Sequence, residues 1–320
     1  MPKARPYKLF LLLLAIGGGY GWLIFATLHP HLPCHDNPLV FYSSQTRDDL
    51  KRVIFSAIKG AKTSISLQIY GLTDPDIIAL LHKKKAEGLD VSISYDRSAS
   101  KHLPKTLEAK PIRAKGLMHR KILVIDKTLC LIGTANFTPQ SLKMHGNLLV
   151  GLYSPLLAKA LVENKSYKEE GLESYLLPEA GEEALTKLCT VIENAQKTLK
   201  LAIFTLTHPR IIDSLIRAHK RGVAISLCVD RYTAQGASRK ALCSLEESGI
   251  TILQSQGDQL LHHKWALVDQ KILIFGSANW TVAAFEKNHD GLWMFESLQP
   301  AELQKLQKLW KVIETGCQMR

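Results

Sequence analysis

Two kinds of pattern alternate along this chain, and the whole alternation occurs twice. In the first half an amphipathic stretch at about 47–61 precedes an apolar run at 65–71. A helical pattern at 75–87 then opens on Pro75, and a Gly turn leads to another apolar run at 91–96. In the second half the same series falls at 182–196, 199–205, 209–221 and 223–229. Each half continues with a strand pattern (119–125 and 262–268) and a short strand that enters a Gly-Thr or Gly-Ser turn. Near-continuous apolar runs alternating with helices predict sheets covered on both faces. The fold class is therefore α/β, with two duplicated lobes, each a mixed or parallel sheet covered by helices. A last helix at about 300–314 carries Leu303, Leu306, Trp310 and Ile313 on one face, a stripe for packing rather than membrane contact.

The repetition holds at the level of single residues. Residues 65–97 align without gaps with 199–231, so that Leu72-Thr73 and Pro75 match Leu206-Thr207 and Pro209, and Asp96-Arg97 match Asp230-Arg231. The first lobe is expected over residues 31–155 and the second over 182–320. Residues 156–181 read as a connector, with a solvated charged stretch from Lys165 to Glu173.

Ahead of the first lobe, Lys3, Arg5 and Lys8 precede an uncharged run from Leu9 to Leu28. A bilayer span needs about 20 apolar residues, and a signal peptide's apolar region is shorter. No clean cleavage site follows. The expectation for residues 1–30 is an uncleaved single-pass signal anchor, a transmembrane helix that leaves the N-terminus in the cytoplasm and the rest of the chain outside it. A cleaved signal, and hence secretion, is the alternative.

Composition narrows the class of partner. An apolar fraction of 46% is that of a globular protein with a full core, and a formal net charge of +12 suits an anionic partner. Six cysteines are scattered without a CxxC pair, so they do not outline a zinc site. Cys130 and Cys228 lie in apolar runs and read as core residues.

The chemistry is concentrated in one motif that occurs twice. HRKILVIDKTLCLIGTAN runs from His119 to Asn136, and HHKWALVDQKILIFGSAN from His262 to Asn279. Residues i and i+2 of a strand share a face, so His119 sits beside Lys121 and His262 beside Lys264. Asp126 and Asp269 lie at odd spacing from their histidines and read as supports of the strand end. Gly133 and Gly276 permit tight turns. Beyond them Thr134, Asn136, Ser277 and Asn279 offer hydroxyl and amide donors for a phosphate. Two copies face to face place two His, two Lys and two Asn around one cavity. Two cations with neutral donors suit a phosphodiester and the charge its transition state gains. One neutral imidazole attacks phosphorus, and the other, protonated, gives its proton to the leaving alcohol. No metal or other cofactor is required, since the lysines neutralise the phosphate.

This pattern resembles the phospholipase D superfamily, whose signature is His-x-Lys-(x)4-Asp followed by Gly-Ser/Thr-x-Asn. Both copies match it at every position, and the likeness extends over roughly 40–315. The resemblance implies a two-lobed α/β sandwich with the active site at the lobe interface, where His119, Lys121 and Asn136 work with His262, Lys264 and Asn279, and the signature aspartates Asp126 and Asp269 complete the catalytic set. It also implies an orienting residue two positions after an Asn that follows each motif. The second copy has Asn288-His289-Asp290, whereas the first has His145-Gly146-Asn147, with an amide for the carboxylate. If each orienting residue serves the histidine of its own copy, Asp290 keeps His262 protonated as the acid, and Asn147 leaves His119 neutral as the nucleophile.

Substrate is read from charge and location. Arg97 to Arg120 holds seven Lys or Arg and one acid, with no aromatic residue for base stacking. Such a stretch suits a lipid headgroup surface or a nucleic acid backbone. The expected activity is a phospholipase D-like phosphodiesterase or phosphatidyltransferase acting on phospholipids of a membrane. The alternative is a nuclease of the same superfamily, with nucleic acid as partner. Two motifs in one chain need no protein partner to complete the site.

Overall fold

The computed structural model describes residues 30–296 and 298–320. It holds two mixed sheets, one per lobe. In space, the first runs Leu39–Ser43, Leu148–Tyr153, Leu129–Gly133, Lys121–Ile125, Ser64–Ile69, Asp90–Tyr95 and Lys110–Pro111. The second runs Cys317–Met319, Ile252–Ser255, Ala224–Val229, Thr198–Ile203, Lys264–Val268, Ile272–Gly276, Gly291–Phe295, Leu172–Leu176 and Tyr167–Glu169. Corresponding strands keep one register. Ser64–Ile69 runs parallel to Asp90–Tyr95 and antiparallel to the His-x-Lys strand, with Ile69 opposite Lys121. Thr198–Ile203 does the same in the second lobe, with Ile203 opposite Lys264.

Alternation of side chains sorts these strands into layers. On Lys121–Ile125, Ile122 and Val124 enter a core shared with the other lobe, while Leu123 and Ile125 pack with the helices Leu50–Gly60 and Pro75–Ala86. On Lys264–Val268, Trp265 and Leu267 join the shared core, while Ala266 and Val268 pack with Gly181–Glu193 and Pro209–Lys220. The architecture is thus helices, sheet, sheet, helices. Pro75 and Pro209 each open a helix where a missing N–H costs nothing. The packing stripe of the last helix, Pro300–Thr315, closes one flank of the shared core through Leu306, Trp310 and Ile313.

Two expectations are corrected. Residues 156–181 are more than a connector: the stretch from Lys165 to Glu173 is largely exposed, but the segment carries most of the helix Pro155–Val162 and a hairpin, Tyr167–Glu169 with Leu172–Leu176. Leu172–Leu176 extends the second sheet by pairing with Gly291–Phe295, because Leu172, Tyr175 and Leu176 find apolar cover there. The transmembrane helix and the signal-anchor location drawn from it are not upheld either. No helix among the described residues is long and apolar enough to cross a membrane. The run from Leu9 to Leu28 that prompted the expectation lies outside the described residues.

Candidate active site

The site forms where the starts of the two His-x-Lys strands meet across the lobes. Two short bridges stitch this junction, Met118 to His289 and Gly146 to Leu261, and they are equivalent under the repeat. The backbone N–H of His119 donates to the carbonyl of His289 at 2.7 Å. Each histidine is thereby carried to the orienting residue of the opposite copy. His119 Nδ1 lies 2.8 Å from Asp290 Oδ1, and His262 Nδ1 lies 3.0 Å from Asn147 Oδ1. The pairing is therefore crossed, and the expectation that each orienting residue serves its own copy is corrected. The physical reason is the two-fold relation of the lobes: a strand end that crosses the junction meets the partner's loop, not its own.

Asp290 accepts the Nδ1 proton of His119, which leaves the His119 Nε2 lone pair for chemistry. Burial and Lys121 push the His119 pKa below its ordinary value, with Asp290 working against them. Burial, Lys264 and Lys121 push that of His262 down further. Burial would raise Asp290, but His119 and Lys121 hold it at about 2, so it stays ionised. The Lys121 ammonium donates to the His119 carbonyl at 2.6 Å and lies over the Tyr70 ring at 5.2 Å. Lys264 repeats this with the His262 carbonyl at 2.9 Å and the Phe204 ring at 4.8 Å. Burial lowers the Lys121 pKa to about 7, and burial with Lys121 nearby lowers that of Lys264 well below its ordinary value. Two enclosed cations that hold their protons so weakly are matched to an arriving anion.

The other expected residues divide. Thr134 and Ser277 are fully buried and do not offer their hydroxyls to a phosphate. Thr134 Oγ1 donates to Asn147 Oδ1 at 2.8 Å, and Ser277 Oγ to Asp290 Oδ1 at 2.7 Å. Strand pairing decides this, since Gly133 and Gly276 lie opposite Leu149 and Leu292 and so bring the next residues against the orienting groups. The buried amide oxygens of Asn136 and Asn279 have no hydrogen-bond donor among the described residues. Asp126 and Asp269 are remote supports at the other end of the strands. Asp126 accepts the N–H groups of Lys62, Thr63 and Ser64, and Asp269 those of Gln196, Lys197 and Thr198.

Sequence reasoning missed three groups here. Tyr70 and Phe204, whose rings stand edge-on to His119 and His262 at 5.0 Å, follow the first apolar strand at matching positions of the repeat. That correspondence was a usable signal. Arg120 fills the x of the first motif. It is buried and donates to the carbonyls of Asp290 and Leu177 and to the side chains of Gln68 and Asn164, so it braces one lobe against the other.

Two lobes, each with its own His-x-Lys strand, define the class of fold, and the comparisons agree on that class. The chain belongs to the phospholipase D-like family described as "Cardiolipin synthase, PLD-like domain", whose model matches residues 54–166 and 188–311. The mitochondrial cardiolipin hydrolase of Xenopus tropicalis is 30% identical over 131 residues, covering 40% of this chain and 61% of that protein. The human mitochondrial cardiolipin hydrolase is 31% identical over 134 residues, covering 41% of this chain and 52% of that protein. This chain thus spans under two thirds of the length of these curated relatives. Among solved structures, phosphatidylserine synthase from Haemophilus influenzae shares the fold, with a TM-score of 0.72 over 91% of this chain and 89% of that one, at 16% identity.

Proposed function

We propose that this chain is a phosphodiesterase or phosphatidyltransferase that acts on phospholipids through a phosphohistidine on His119. The observation that carries the reading is the crossed pair, a carboxylate on His119 and an amide on His262. Neutral His119 attacks phosphorus through Nε2, forming the P–N bond as the P–O bond to the leaving alcohol breaks. The imidazolium of His262 gives its Nε2 proton to that oxygen. Water or a second alcohol then attacks phosphorus, gives its proton to His262 and breaks the P–N bond. Phosphorylated His119 carries positive charge, and ionised Asp290 lies where that charge develops. The nucleophile is the one expected from sequence, for a different reason: the carboxylate stabilises the intermediate instead of the acid. Lys121 and Lys264 would hold the phosphate oxygens with the N–H groups left over from their carbonyl bonds, and Asn136 and Asn279 would add amide donors. The phosphodiester's own charge restores the protons that burial weakens on Lys121, Lys264 and His262.

The phospholipid assignment leans on the family and on the cardiolipin hydrolases, whose names state a lipid substrate. Its test pairs phospholipid micelles with DNA and RNA as substrates of the purified chain, with and without EDTA. Headgroup or diacyl product, insensitive to chelation, is expected. Cleavage of nucleic acid alone would replace the lipid reading. With an alkyl nitrophenyl phosphate, whose leaving group needs no proton, His262→Ala should retain its burst of nitrophenol and His119→Ala should not.

A further inference from the structure

The two ends of the site differ at a position the scheme leaves unused. His145 stands where the second repeat has Asn288, so the first repeat departs twice within three residues, at 145 and at 147. Asn288 is occupied: its Oδ1 accepts the Leu117 N–H at 2.9 Å, and its Nδ2 donates to Asp290 at 3.4 Å. The His145 ring has no hydrogen-bond partner among the described residues. It is half-buried, and its ring centroid lies 6.2 Å from that of His262, tilted by 52°. Burial and the nearby Lys264 push its pKa below the ordinary value, against the pull of Asp230, and so favour the neutral ring.

In displacement at phosphorus the attacking and leaving atoms stand roughly in line. With His119 attacking, the leaving oxygen departs at His262, and the groups beside His262 face the remainder of that alcohol. We propose that His145 recognises a second hydroxyl on the leaving alcohol, and on any alcohol that replaces it in the second step. A neutral imidazole presents one donor and one acceptor, which matches a hydroxyl in either sense. A quaternary ammonium headgroup finds no such fit. The ring beside His262, Phe204, already carries the Lys264 ammonium at 4.8 Å, and that like charge repels a quaternary ammonium. The subsite thus selects a polyol over a simple or cationic alcohol. The inference rests on the proposed roles of His119 and His262.

The test uses the second step, which needs no lipid. The full chain is loaded from an alkyl nitrophenyl phosphate, and glycerol, 1-propanol and choline compete as acceptors. The transfer products are measured for the unaltered chain, His145→Ala and His145→Gln. Glycerol should outcompete the other two in the unaltered chain. His145→Ala should lose about tenfold of that preference, the worth of one neutral hydrogen bond, and His145→Gln should keep part of it. The inference is overturned by equal transfer to all three acceptors, by absence of transfer, or by a preference that survives His145→Ala. Peptide mapping that finds the phosphoryl group on His262 overturns it as well, since His145 would then face the retained group. A parallel assay on phosphatidylglycerol separates this from the substrate assignment: acceptor preference without lipid turnover sinks the lipid reading and leaves this one standing.

Discussion

Asp290 and Asn147 differ by one charge, and in each case the histidine that feels the difference belongs to the other lobe. Asp290→Asn should lower kcat on the order of 10⁴-fold, as loss of an orienting carboxylate does in another imidazole-dependent site. Rapid-quench measurement should find less phosphoenzyme on His119. An unchanged level would mean that the carboxylate is a packing feature. Asn147→Asp should act on the acid instead. A carboxylate beside His262 raises its pKa, so the imidazolium persists to higher pH and the alkaline limb of kcat moves up. Lys121 sets a separate limb. Its pKa is lowered to about 7 in the empty site, so the ammonium is lost as pH rises through that value. Substrate binds the protonated form, hence kcat/KM should decline above about pH 7. Lys121→Arg, which keeps its charge, should extend the plateau, and a profile still falling near 7 would assign that limb to another group. Every histidine and lysine of this account was legible in the sequence. The crossing was not, because spacing reveals which residues correspond but not which lobe each one faces.

At the scale of elements, the duplicated motif is a hairpin whose turn is specified by its aspartate. Asp126 and Lys127 have φ of 50° and 55°, and Asp269 and Gln270 have 48° and 57°, the two left-handed residues of a type I′ turn. Aspartate tolerates that conformation and also ties the turn to the neighbouring strand through three backbone N–H groups. Asp126→Ala should destabilise the protein by about 2–3 kcal/mol, the cost of orphaned donors and a poorer turn residue. Kinetic constants per folded molecule should remain close to normal, as read from thermal melts beside active-site titration. A specific loss of kcat in fully folded protein would instead put Asp126 in the chemistry. The main helices and strands could be placed from apolar runs and Pro starts. The hairpin of residues 167–176 could not, since its strands are three and five residues long and interleave charges with buried Leu172 and Tyr175.

For the whole molecule, the decisive feature is the core shared between the sheets. Trp265, Phe275 and Trp293 from the second lobe meet Ile122, Val124 and Val150 from the first. Trp265→Ala should cost about 3–5 kcal/mol through lost burial and a cavity. Because His119 and Asp290 lie on opposite sides of the same junction, activity should fall at lower denaturant than far-UV structure does. Coincident transitions would show that the lobes separate only on global unfolding. The two-lobed fold was legible because the chain states each lobe once and then repeats it. The face-to-face arrangement was expected from the paired motifs, but not which side chains of each strand enter the shared core, since apolar runs buried on both sides carry no mark of which side meets which partner.

The crossed histidine contacts also bear on how such a chain can change over generations. A duplicated gene leaves two copies free to drift apart, each at first a spare for the other. Here neither copy is a spare, because the residue that tunes one histidine is inherited with the other. Drift at Asn147 or His145 is judged by how well His262 works, and drift at Asp290 by how well His119 works. The repeats can therefore specialise only as a couple: under the proposed roles, one toward holding the phosphoryl group and the other toward handling the alcohol.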